Sequence, residues 1–180
     1  ETDIRSYWRA LDTVTPRATA LALRFKFLSN KRGIEVRRLT PDQIDFRREV
    51  WSLPDVRNKA IGVQQPLTPT MLSLIREALG NRSTGYVFST TGGEKMVAFS
   101  SKITKYLAAE AGCEHISYHD YRRTFSTGLE ELGVPHRVIK LTEGHFDRGI
   151  EAHYQQATVR PLDDQLAAYR KWEALLGVRV

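Results

Sequence analysis

Six side chains suited to phosphodiester chemistry stand in a fixed order along the 180-residue chain. In sequence order they are Arg32, Lys59, His119, Arg122, His145 and Tyr154. An arginine stays charged and can donate two parallel hydrogen bonds to phosphate oxygens. A neighbouring acid can protonate a leaving oxygen, and a phenol can attack phosphorus. The set therefore contains the groups needed to break a phosphodiester bond without a metal ion.

The spacing of these residues is as informative as their types. His119 and Arg122 are three positions apart, so they share one face of a helix and can approach one phosphate together. Gly144 lets the backbone turn sharply before His145, and Tyr154 follows nine positions later. An unperturbed phenol has a pKa of about 10, so Tyr154 needs an arginine-rich field or a base to ionise during attack.

The ordered set resembles the catalytic domain of the tyrosine recombinases, in particular the integrases of phages and genomic islands. The family pattern runs arginine, lysine, His-x-x-Arg, Gly-His and tyrosine, and each member has a match between Thr15 and Trp172. The chain departs from the pattern in two loops. The first arginine follows Ser-Asn-Lys where Thr-Gly-x is usual, and Glu143 stands in place of the leucine before Gly-His.

The resemblance implies a role for each residue of the set. Tyr154 would attack a DNA phosphate and form a 3′-phosphotyrosine bond, and Lys59 would protonate the leaving 5′ oxygen. The other four would act on the phosphate: Arg32 and Arg122 as clamps, His145 as a hydrogen-bond donor, and His119 as a proton acceptor or positioning group.

The resemblance also implies partners and a cellular setting. The substrate would be double-stranded DNA, no cofactor would be needed, and copies of the protein would assemble into a synaptic tetramer on DNA. The expected location is the bacterial cytoplasm, in association with DNA. Residues 1–180 would form a single catalytic domain, a fragment that lacks an initiator methionine and the N-terminal DNA-binding domain usual in such integrases.

Composition permits this function without demanding it. A net charge of +6 and a pI of about 9.6 suit a polyanionic partner. The length and the 41% hydrophobic content fit one domain with a sizeable core. A single cysteine, Cys113, excludes an internal disulfide and indicates a reducing compartment. No apolar run is long enough to span a bilayer.

Periodicity and turn residues predict a mainly helical α+β domain with a small three-stranded antiparallel sheet. Lys59 would lie in the turn between the second and third strands, and Tyr154 on a short helix. The expected strands are 44–46, 50–53 and 64–67, and the expected longer helices are 3–11, 16–30, 69–79, 97–111, 119–132, 135–141 and 161–176.

Three other interpretations of the sequence stay open. Cys113, His115 and His119 have a spacing that could suit zinc, although no second ligand pair accompanies them. Residues 127–141 resemble a helix-turn-helix in outline, which would suit a DNA-binding module without catalysis. Within the same chemistry, a type IB topoisomerase-like strand transferase is an alternative to an integrase.

Two further sets of residues have a packing interpretation beside a functional one. Tyr121 lies inside the His-x-x-Arg motif and competes with Tyr154 as a nucleophile, but a packing role is the prediction. The last helix has an apolar face that could cover the protein's own core or dock on a neighbouring copy. That face consists of Leu162, Leu166, Tyr169, Trp172 and Leu176.

Overall fold

The computed structural model describes residues 4–53, 63–144 and 160–178, with the side chains of 160 and 161 left out. The helices in these ranges are α1 (Ile4–Ala10), α2 (Arg17–Ser29), α3 (Gly33–Arg37), α4 (Pro69–Leu79), α5 (Ser101–Ala111), α6 (Asp120–Glu131), α7 (His136–Glu143) and α8 (Arg160–Leu176). The strands are β1 (Ile44–Asp45), β2 (Val50–Leu53) and β3 (Val63–Pro66), and two short 3₁₀ turns cover Leu11–Thr13 and Pro41–Gln43.

This architecture confirms the predicted mainly helical α+β fold with a small antiparallel sheet. The strands lie in the order β1-β2-β3, and Trp51 pairs with Ile44 on one side and Gln65 on the other. Pro66 lies on an outer strand of this sheet, where proline is tolerated. None of the described helices has the length and apolar character needed to cross a membrane.

Helix α2 is the centre of the core. Its residues are buried around most of its circumference, and it packs against α4, α6 and α8. Asn30 ends the helix in the left-handed conformation, with a φ of 55°. Asparagine tolerates this conformation better than most residues, so the chain can turn at once into α3. The segment 30–32 thus begins from a fixed point in the core.

The helix start that differs most from the sequence prediction is that of α5. Helix α5 begins at Ser101 and not at Val97, because the Val97 amide donates to the Phe88 carbonyl across a loop. Ser100 then caps the helix through its hydroxyl oxygen. Helix α2 begins at Arg17, one residue after its predicted start, and Pro16 is its N-cap residue.

The apolar face of α8 covers the protein's own core. Tyr169 and Trp172 are fully buried, and Trp172 donates a 2.9 Å hydrogen bond to the Phe27 carbonyl of α2. The rings of Phe27 and Phe125 pack against the same indole. Leu162, at the start of the helix, is half-buried. The docking interpretation is therefore wrong for the central residues of this face.

Helices α6 and α8 approach each other closely at Gly128. A Cβ atom at this position would lie 2.6 Å from a ring carbon of Trp172. Alanine normally favours a helix over glycine by roughly 1 kcal/mol. The overlap should outweigh that gain because the indole is held by its hydrogen bond. We predict that Gly128→Ala lowers the free energy of unfolding by about 1–3 kcal/mol in urea denaturation.

A double-mutant cycle provides the control for this prediction. In a Trp172→Leu background the smaller side chain leaves room for the added methyl group, so Gly128→Ala should cost less than it does in the wild type. An equal cost in both backgrounds would show that the contact with Trp172 is not the cause.

Candidate active site

Three of the six predicted site residues line one cleft. Arg32 comes from the start of α3, and His119 and Arg122 come from the first turns of α6. The cleft has a volume of about 470 Å³. Its other lining residues come from α6 and α7 and are Arg123, Ser126, Thr127, Glu130, Lys140 and Glu143. Lys59, His145 and Tyr154 lie outside the described residues, so their assignment stays a prediction.

Arg32 is held by Glu35 at the start of α3. The Arg32 backbone N–H donates to Glu35 Oε2 at 2.6 Å, and its Nη1 atom lies 3.4 Å from Oε1. One carboxylate thus fixes both the backbone and the side chain of the arginine. The guanidinium side chain remains half-exposed, which leaves it accessible to a phosphate. The i,i+3 spacing of a helix-capping glutamate could have identified this role in the sequence.

Arg122 is the more enclosed of the two arginines. Its Nη2 atom donates to the Glu143 carbonyl at 3.1 Å, whereas its buried Nη1 atom has no hydrogen-bond partner among the described residues. Burial and the nearby charge of Arg32 lower the pKa of Arg122, although a guanidinium stays protonated. A buried donor without an acceptor is costly, so this atom is well suited to an incoming anion.

His119 stands at the N-cap position of α6, at the exposed mouth of the cleft. Its carbonyl accepts from the Arg122 amide at 3.1 Å, so the two residues belong to one turn. Asp120 fixes the start of the helix by accepting from the amide and the hydroxyl of Ser117 at 2.9 and 2.7 Å. This geometry confirms the shared face that the His-x-x-Arg spacing predicts.

Two buried lysines, Lys26 and Lys31, lie near the arginines, and the sequence does not distinguish them from exposed basic residues. The Lys31 ammonium group donates to the Thr142 carbonyl at 2.7 Å, and burial lowers its pKa to about 7, against the opposing pull of Glu35. Lys26 lies over the Tyr121 ring, 5.0 Å from its centre. Burial and the charge of Arg122 lower the pKa of Lys26 to about 8.

Glu143 places a negative charge in the same cleft. Its carboxylate accepts from the Ser126 hydroxyl at 2.9 Å and from the Lys140 ammonium at 3.2 Å. Burial alone would raise the pKa of Glu143, but these two hydrogen bonds and the nearby positive charges hold it below its ordinary value. The carboxyl group is therefore ionised at neutral pH. A leucine here, as in the usual motif, would bring no such charge.

Tyr121 has the packing role that the sequence predicts. It is 1% exposed, and its hydroxyl shares a 2.8 Å hydrogen bond with the hydroxyl of Tyr7. Burial raises its pKa well above the ordinary value of a phenol. A hydroxyl in this position can neither ionise easily nor reach a phosphate in the cleft.

The zinc and helix-turn-helix interpretations find little support in the geometry. Across residues 4–53, 63–144 and 160–178, no three His, Cys, Asp or Glu side chains come together as metal ligands. His115 shares a 2.9 Å hydrogen bond with the Thr104 hydroxyl. Helices α6 and α7 both bury an apolar face, so their pairing has a packing explanation.

The phage integrase family matches residues 3–160, and the chain belongs to that family. It is also 28% identical over 177 residues to prophage integrase IntF of Escherichia coli (strain K12). That match covers 94% of this chain and 36% of the relative, so the chain spans little more than a third of the relative's length. The family confirms the resemblance, while the role of each residue stays to be tested.

The buried lysines predict how stability depends on pH. In the unfolded chain a lysine binds its proton up to a pKa of about 10.5, whereas folded Lys31 releases it near pH 7. Between these values the unfolded state holds more protons, so the free energy of unfolding should rise with pH. The slope is at most about 1.4 kcal/mol per pH unit for each lysine.

Lys31→Met tests this assignment. Methionine has no proton to lose, so the variant should show a shallower increase in the free energy of unfolding between pH 7 and pH 9 than the wild type does. Chemical denaturation at several pH values measures both slopes. Parallel curves for the two proteins would mean that Lys31 keeps its proton when folded.

Proposed function

We propose that this chain is the catalytic domain of a site-specific DNA recombinase that cuts and rejoins DNA through a covalent 3′-phosphotyrosine. The main support is the convergence of Arg32, His119 and Arg122 on one cleft in a member of the phage integrase family. Arg32 lies 87 positions before His119 in the sequence, and the motif order alone does not require that it meets His119 and Arg122. Double-stranded DNA and a tetramer of this protein on DNA are the partners that this function needs.

The two arginines would stabilise the transition state by charge. As the phosphodiester reacts, negative charge builds on its two non-bridging oxygens. Arg32 offers an accessible guanidinium held by Glu35, and Arg122 offers a buried one whose Nη1 atom has no partner among the described residues. Donors fixed before the reaction need no reorganisation during it. Removing one such donor typically lowers the rate by about 10²–10³-fold.

The covalent step would be a transesterification. The Tyr154 oxygen forms a bond to phosphorus while the bond from phosphorus to the 5′ oxygen breaks. Lys59 would donate a proton to that leaving oxygen. The Tyr154 hydroxyl loses its proton in the same step, and His119, exposed at the start of α6, would accept or orient that proton. His145 would donate to a non-bridging oxygen. The phosphotyrosine keeps the energy of the broken bond, so a 5′ hydroxyl of another strand can reverse the step without ATP.

We predict that Tyr154→Phe abolishes covalent attachment to DNA and leaves the fold and the DNA affinity nearly unchanged, because only one oxygen is lost. The assay uses a pool of nicked duplexes of randomised sequence, with the 5′ end of the cut strand labelled, and detects labelled protein on a denaturing gel. EDTA is present throughout, because the arginines and Lys59 supply the charge and the proton.

Tyr121→Phe is the matched control. It removes a buried hydrogen bond to Tyr7, so we expect a loss of about 1 kcal/mol in stability and normal adduct formation. Adduct that survives in Tyr154→Phe would refute the proposed nucleophile. DNA binding by a wild type that never forms adduct would favour a non-catalytic binding domain. Religation of any sequence within one duplex would favour the topoisomerase-like alternative.

The charge of Glu143 predicts a gain in DNA affinity on its removal. Glu143→Gln keeps the size of the side chain but removes an anion beside Arg122 and releases Lys140 for a phosphate. We expect binding of a 20-base-pair duplex to tighten by about three- to tenfold. The slope of log affinity against log salt should steepen by roughly one. Glu131→Gln makes the same charge change at an exposed position outside the cleft, and should have a smaller effect.

A further inference from the structure

Lys31 stands beside the proposed catalytic set without belonging to it. It precedes Arg32 directly, yet its side chain turns away from solvent and is 1% exposed. Its Nζ atom donates to the Thr142 carbonyl at 2.7 Å, in the last turn of α7. Thr142 is three residues before His145 in the sequence. One side chain thus joins the segment that carries Arg32 to the segment that leads to His145.

Two more side chains hold the same end of α7. Asn30 Nδ2 donates to the Thr142 hydroxyl at 2.9 Å, and Arg122 Nη2 donates to the Glu143 carbonyl at 3.1 Å. The last carbonyls of a helix lack partners within the helix, and basic side chains are favourable there. A Cβ atom on Gly144 would lie 3.8 Å from Lys31 Nζ, so the ammonium group lies directly under the glycine that ends the helix.

If the side chain at this position only filled space, a lysine would be energetically unfavourable compared with an apolar residue. Burial of an ammonium group costs free energy unless hydrogen bonds and opposite charges compensate for it. An amine in either protonation state can donate to the Thr142 carbonyl, whereas an apolar side chain of the same length cannot. The charged groups that face Lys31 come from α2, α3, α6 and α7 and are Lys26, Arg32, Glu35, Arg122 and Glu143.

We propose that Lys31 is a positioning residue that fixes the end of α7 against the two arginines. This inference rests on the proposed function, because its purpose is to keep the phosphate-binding groups in register. Asn30, which stands where the usual motif has glycine, supplies a second donor beside Lys31 to hold Thr142.

The first test separates catalysis from DNA binding. Lys31→Met should lower the rate of adduct formation at saturating DNA by about ten- to a hundredfold, because small displacements of reacting groups have effects of this size. The affinity for a 20-base-pair duplex should change less than about threefold, because Arg32 and Arg122 remain. Thr104→Val is the control, since it also removes a buried side-chain donor to a backbone carbonyl but lies in α5, outside the cleft. Its adduct rate should stay within about twofold of the wild type.

The second test does not depend on catalysis. Amide hydrogen exchange should rise in the peptide that covers residues 139–144 of Lys31→Met and stay unchanged elsewhere in the chain. If Lys31→Met does not fold, Asn30→Gly removes the parallel bond to Thr142 and keeps the left-handed backbone, and should show the same local increase.

The outcomes distinguish this inference from the proposed function. Unchanged exchange at 139–144 in a folded variant would overturn the role of Lys31, whether or not DNA is cut. If Lys31→Met forms adduct at the same rate as the wild type, the role of Lys31 is also overturned, and the proposed function stands. Failure of the wild type to form any adduct, with a local rise in exchange, would refute the recombinase function and leave the fixing of α7 by Lys31 intact.

Discussion

The cleft depends on positive charge that the fold holds out of water. Arg122, Lys26 and Lys31 are all buried. Burial and the neighbouring positive charges lower the pKa of each of them. Such a cluster is repulsive and can persist only on a rigid scaffold that supplies acceptors. The carboxylates of Glu35 and Glu143 and the carbonyls that end α7 fulfil that need. A phosphate bound in the cleft would add negative charge to this mainly positive cluster.

The rigidity of the scaffold comes from α2 and the aromatic residues around it. Phe27 of α2 contacts the rings of Tyr7, Tyr121 and Trp172, which belong to three other helices. The core thus fixes α6, the helix of Arg122, against α2, whose end leads to Arg32. Because the two arginines are anchored to one packed cluster, their relative position does not depend on exposed loops. Packing at the centre of the molecule therefore sets the geometry at its surface.

The sequence predicts the framework well because local signals determine it. Alternation and turn residues give the strands, and helical periodicity with caps gives α4 and α6 to within a residue or so. The start of α5 was missed because the hydrogen bond from Val97 to Phe88 is non-local. Lys31 was missed for a similar reason: among Arg32 and other basic residues, nothing local shows that this one lysine turns inward.

Glu143 shows how a single departure from a motif can be absorbed by its surroundings. The Glu143 carboxylate accepts hydrogen bonds from Ser126 of α6 and Lys140 of α7. It therefore links α7 to α6, and both helices line the cleft. The same bonds neutralise one cation and occupy a hydroxyl, both of which line the cleft. The chain therefore places an internal anion beside the two arginines that we propose bind phosphate, and this anion would weaken that binding.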